Sequence, residues 1–123
     1  MNRPDTPSHT ALVIGDQSVE VMDLSDYLDV SGWQRVRVAR DAHAAQAALA
    51  QGEPFDLIVL SLPHADPDTQ VLLRAVLSTD AAIILINGAR PLMRGPRIVG
   101  VTRPYSDEDL TAAVVALGFL AES

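Results

Sequence analysis

Ser61, His64, Asp66 and Asp68 fall in one short stretch of the 123-residue chain, and these are residue types from which a nucleophile, a base or a metal site can be built. A serine near a histidine and an aspartate suggests a hydrolytic triad. The glycines of a nucleophile elbow are absent around Leu60-Ser61-Leu62, however, and three triad members on one short loop rarely face one another. A metal site from His64, Asp66 and Asp68 lacks a fixed fourth ligand. His64 therefore reads as a loop residue and His43 as a helix-surface residue. The chain has no Cys, and its nine basic residues are all Arg. Thiolate chemistry, disulfides, Schiff bases and a P-loop lysine are excluded. Gly15, Gly88, Gly95 and Gly100 do not form a phosphate-binding glycine motif. Ser61 alone carries a weakly reactive hydroxyl, and a hydroxyl needs a base before it attacks.

The elements that must position these residues follow from the hydropathy pattern. Leu57-Ile58-Val59-Leu60 is apolar without alternation, with Glu53-Pro54 before it and Pro63 after it. Such a run reads as a strand buried on both faces, in the middle of a parallel sheet. Ser61 stands at its carboxyl end, where open α/β sheets keep their working crevice. Thr10–Gly15 and Ala81–Ile86 read as two more buried strands, and Ile98–Val101 as a short last one. In 33–39, Val36 and Val38 alternate with Arg35 and Arg37, the pattern of an edge strand with one wet face. Helices are expected over 17–31, with Val21, Leu24 and Leu28 inward and Val19, Met22 and Tyr27 widening the stripe. Asp16 is placed to cap that helix and Gly32 to stop it. Further helices are expected over 42–51, capped by Asp41; from Pro67 to about Ser78, with Val71, Leu72, Ala75 and Val76 inward; and over 107–120, with Ser106 and Asp109 as a capping box. Strands alternating with helices imply one α/β domain over 10–121, doubly wound, behind a flexible tail of residues 1–9.

Net charge is −7, which argues against a nucleic-acid surface. No apolar run reaches the roughly 18–20 residues that span a bilayer, and no secretory signal is visible at the amino terminus. A cytoplasmic protein with no membrane association is the expectation.

Four places in this pattern resemble the receiver domain of two-component response regulators: Gly15-Asp16 after the first strand, Leu57–Pro63 at the third, Asn87-Gly88-Ala89 after the fourth, and Thr102-Arg103-Pro104-Tyr105-Ser106 before the last helix. The resemblance implies a flavodoxin-like five-stranded parallel sheet in the order 2-1-3-4-5. In that family an aspartate takes a phosphoryl group, an acidic pair helps to hold Mg²⁺, and a hydroxyl and a lysine contact the phosphoryl group. Here the acceptor position is Ser61, the acidic pair is Gly15-Asp16, the hydroxyl position is Asn87 and the lysine position is Arg103. The aromatic switch position is Gly100. The resemblance thus implies a degenerate receiver with no catalytic residue and no expected Mg²⁺ or other cofactor. One carboxylate and a neutral hydroxyl make a poor magnesium site. Arg103 is expected to pair with Asp16, and Asn87 to complete a neutral set beside Ser61. Nothing in the motif supplies Ser61 with a base.

Residues 88–97 hold two Gly and two Pro and sustain little helix, so the family's fourth helix is expected to be shortened or missing. Arg90, Leu92, Met93, Arg94, Arg97 and Tyr105 form the candidate partner surface. The expected partner is a protein in a signalling pathway, with a homodimer through the last strand and last helix as one form of it. Two alternatives stand beside this reading. One is a phosphotransfer-competent regulator using an offset acid such as Asp66; the other is a flavodoxin-like small-ligand binder sharing only the fold.

Overall fold

The computed structural model describes residues 9–52, 55–62, 66–86, 97–103 and 105–119. Five strands, β1 (Thr10–Gly15), β2 (Arg35–Ala39), β3 (Leu57–Ser61), β4 (Ala82–Ile86) and β5 (Ile98–Val101), form one parallel sheet in the order β2-β1-β3-β4-β5. Four helices are found among the described residues: α1 (Ser18–Val30), α2 (Ala42–Ala50), α3 (Pro67–Leu77) and α4 (Asp107–Ala116). The expected loss of a helix falls on residues 88–97, of which only Arg97 lies within the described residues.

The unbroken apolar runs behave as expected of buried strands. Alternate residues of β1, β3 and β4 feed two separate cores. Leu12, Ile14, Ile58, Leu60, Ile83 and Leu85 pack under α2 and α3. Ala11, Val13, Leu57, Val59, Ile84 and Ile86 pack under α1 and α4. Asp56 joins the amino ends of three strands. Its carboxylate accepts from the Thr10 amide (2.9 Å), its amide donates to the Thr10 carbonyl (2.8 Å), and its carbonyl accepts from the Ala82 amide (2.9 Å).

Helix ends follow local chemistry. Asp41 caps α2 by accepting from the Ala44 amide, and Ser106 and Asp109 form the expected capping box. Asp16 does not cap α1: the cap residue is Gln17, with no side-chain hydrogen bond. Gly32 stops α1 as expected. At Gly118, α4 ends earlier than the expected Leu120. Both glycines adopt φ +98°, and each closes a Schellman pair. Gly32 and Trp33 donate to the Asp29 and Leu28 carbonyls; Gly118 and Phe119 donate to the Val115 and Val114 carbonyls.

Three expected inward faces are corrected. Val19 and Met22 are 74% and 64% exposed, so the buried stripe of α1 is the narrow Val21–Leu24–Leu28 line. In α3 the inward set is Thr69, Leu72, Leu73 and Val76, and Val71 faces out. In the edge strand β2, Val38 is exposed and only Ala39 is fully buried. Residues 1–8 of the expected tail lie outside the described residues, but His9 does not behave as tail. Its ring stacks against Trp33 (5.0 Å) and Phe119 (5.5 Å), and its carbonyl accepts from Gln34 and Arg35 amides.

Candidate functional site at the carboxyl ends of the strands

Ser61 ends β3 and is 2% exposed, although it is polar. A hydroxyl buried to that degree must find partners. It donates to Glu20 Oε1 (2.5 Å) and accepts from Arg103 Nη2 (2.5 Å). Glu20 is the centre of the cluster. Arg103, two residues beyond β5, grips its carboxylate in a fork, Nε to Oε2 and Nη2 to Oε1, both at 2.8 Å. The Tyr105 hydroxyl donates to Oε2 at 2.9 Å. Two separated stretches of chain, the end of β3 and the segment after β5, therefore converge on one acid in the first turn of α1.

The local fold explains how Glu20 arrives there. The β1–α1 connection is short, so the first turn of α1 sits over the strand tips. Val21 points down into the core, 4% exposed, and Glu20, its neighbour, points across the tip of β3. Gly15 makes this approach possible. A Cβ there would lie 2.8 Å from Val21 Cγ2, closer than a van der Waals contact allows. A glycine at position 15 thus lets Val21 and the first turn of α1 pack close over the end of β1.

The expected ion pair between Arg103 and Asp16 is not formed; Arg103 pairs with Glu20. Asp16 is exposed at the tip of β1 and exerts only a minor electrostatic pull on Arg103. The pocket also carries more negative charge than the motif alone implied. Tyr105, expected on the partner surface, turns into the cluster and packs against the core under α1 and α4. Burial, followed by the Glu20 hydrogen bond, raises its phenol pKa. Arg97 is exposed, as expected, at the start of β5. Asn87, Arg90, Leu92, Met93 and Arg94 lie outside the described residues. Gly100 pairs with Leu85 in the sheet and lines a shallow groove of about 380 Å³ with Val99, Val101, Thr102, Asp109, Ala112 and Ala113.

Glu20 has no counterpart in the sequence reasoning. A signal was available: an acid in the first turn of the helix after β1 projects toward the strand ends, and the helix dipole favours it there.

The geometry gives Ser61 the base that the motif lacked, but in a form that cannot work as one. The Arg103 fork, then the Ser61 and Tyr105 hydrogen bonds, outweigh burial and hold the Glu20 carboxyl down to about 2. A useful general base has a pKa near the working pH. Both lone-pair systems of the carboxylate are already engaged. The offset acid, Asp66, is committed elsewhere. It is the N-cap of α3 and accepts from the Asp68 amide at 3.0 Å. His64, the remaining member of the tempting triad, lies outside the described residues.

No protein-family model and no curated protein matches this sequence. Solved structures do. A response regulator receiver domain protein from Bacillus halodurans superposes with a TM-score of 0.73 at 17% identity, covering 89% of this chain and 96% of that one. The receiver domain of the response regulator PhyR from Erythrobacter litoralis gives 0.72 at 21% identity, covering 97% of each chain. A structure of CheY6 in complex with the phosphorylated P1 domain of CheA3 from R. sphaeroides gives 0.65 at 21% identity, covering 90% of this chain and 97% of that one.

The chain has the receiver-domain fold. The strand order expected from the sequence is the one observed. At the carboxyl end of β3 this fold carries a buried alcohol, Ser61, tied to an acid from α1. No helix among the described residues is long and apolar enough to cross a membrane.

Proposed function

We propose that this chain is an atypical receiver module of two-component signalling, one that engages a protein partner without being phosphorylated. The observation that carries the reading is the closed ring of Glu20, Ser61 and Arg103, with Tyr105 bonded to Glu20, where a phosphoacceptor would sit. A free aspartate attacks a phosphoryl group without help, whereas Ser61 is buried and the one base bonded to it among the described residues, Glu20, is held ionised by Arg103. Magnesium does not fit these residues. It prefers carboxylate and phosphate oxygens in near-octahedral array, and the Glu20 oxygens are spent on four hydrogen bonds. The module is accordingly a binding protein with no enzymatic step and no resident cofactor.

A protein partner is supported by the structural relative crystallised with the P1 domain of CheA3. The candidate surface is the β5–α4 edge, with Arg97 and the acidic first turn Asp107, Glu108 and Asp109; a homodimer through that edge, in the cytoplasm, is one form of the reading. The test is incubation of the purified chain with acetyl phosphate, and separately beryllofluoride, in the presence of Mg²⁺. Intact-mass spectrometry and amide NMR shifts are expected to be unchanged. A phosphoryl adduct on any residue overturns the reading.

A further inference from the structure

The carboxylate of Glu20 accepts four hydrogen bonds, all from side chains outside α1. Arg103 Nε and Nη2, Tyr105 Oη and Ser61 Oγ all point at its two oxygens, at 2.5–2.9 Å. The donors come from the end of β3, from the segment after β5 and from the residue before the Ser106 cap of α4. Ser61 is buried, so its hydroxyl has no solvent to turn to. Arg103 carries the planar fork that suits carboxylate and phosphate oxygens alike. With the acid side chain removed, a positive fork and two hydroxyls would face one common volume. That donor set is suited to a small oxyanion.

We propose that Glu20 is a resident ligand, a tethered carboxylate occupying an oxyanion seat formed by Ser61, Arg103 and Tyr105. The tether explains why the seat stays closed in the natural chain. A carboxylate delivered by its own helix acts at an effective concentration in the millimolar range or above, which free anions at ordinary levels do not overcome. The inference deepens the reading of a phosphorylation-independent module and rests on it for its meaning, but it has its own test.

The full chain carrying Glu20→Ala is titrated with inorganic phosphate, and separately with sulfate, against sodium chloride at matched ionic strength. Amide shifts of Ser61, Arg103 and Tyr105 and the Tm are followed. The variant is expected to bind saturably and to gain about 3–5 °C at saturation, while the wild-type chain shows neither effect. Glu20→Ala combined with Arg103→Gln is expected to bind at least about tenfold more weakly. A folded Glu20→Ala chain with no saturable shift overturns the proposal, and so does equal binding by the double variant. Should Glu20→Ala fail to fold in chloride, refolding is repeated in phosphate. Recovery in phosphate alone supports the seat, and failure in both overturns it. Either negative result leaves the acetyl phosphate outcome on the wild-type chain unaffected, so the two readings fail separately.

Discussion

The two ends of the sheet are closed by opposite chemistry. At the carboxyl ends of the strands, one acid collects an arginine, a serine and a tyrosine. At the amino end of β1, His9, Trp33 and Phe119 stack with centroids 5.0–5.5 Å apart. Both clusters draw on residues distant in sequence, and both join the α1 and α4 sides of the molecule. The difference is in how they are set. The aromatic end is positioned by backbone geometry: two helices end on a positive-φ glycine, and the residue after each glycine is Trp33 or Phe119. The polar end is positioned by charge. A contact set by backbone and dispersion is indifferent to salt; one set by an ion pair is not. The receiver fold keeps its working crevice at the polar end, and here that end is held by a standing attraction.

The contrast can be tested from its strongest side down. Trp33→Ala removes a ring that is 6% exposed and is expected to cost about 3–5 kcal/mol. Urea unfolding at pH 8 should give the same loss at low and at high salt; a loss that varies with salt would break the contrast. The Glu20 carboxyl is held at about 2 against an ordinary 4.5. Because the folded value is the lower one, its contribution is full above about 4.5 and is lost as pH falls toward 2. Arg103 is 42% exposed, so solvent weakens the pair, and a contribution of about 2 kcal/mol is expected. Wild-type stability should fall across that window, and the fall should be smaller by that amount in Glu20→Gln. An equal slope in both proteins would remove Glu20 from its central place.

Tyr105→Phe deletes one donor and keeps the ring, for an expected loss of about 1 kcal/mol by chemical denaturation. Gly118→Ala forces an L side chain into a left-handed position with open space around it, and an expected loss of about 1 kcal/mol is due to backbone strain alone. The amide of Phe119 should then lose hydrogen-exchange protection while the Ser61 amide keeps its own. Joint loss at both would show that the two ends are coupled.

Much of the fold was legible because parallel sheets covered on both faces leave continuous apolar runs, and Leu57–Leu60 and Ala82–Ile86 are such runs. Strand order came with the resemblance. The inward faces of helices were less legible. In α3 two adjacent stripes have similar apolar content, and contact with α2 selects the one through Leu72, Leu73 and Val76. The position of Ser61 was evident from its place at a strand end, but its partner was not. Hydropathy sorts residues into inside and outside. Glu20 points along the strands toward their tips, and it meets Arg103 across 83 positions of sequence. The aromatic cluster was missed for a related reason: Gly32 was read only as a stop and Gly118 fell inside the expected helix over 107–120, so the direction each gives the next residue was not followed.

The tight fit of α1 over Gly15 also limits how this chain can change. Exchanging Ser61 for an aspartate would put a second anion against Glu20 and still leave no room for an acid beside Asp16, because Val21 fills that space. Placing an acidic pair and an acceptor aspartate at these strand tips would take coordinated replacements at Gly15, Glu20, Val21 and Ser61. A partial set would carry either a steric overlap or an uncompensated charge, so the four positions are coupled in what they can accept.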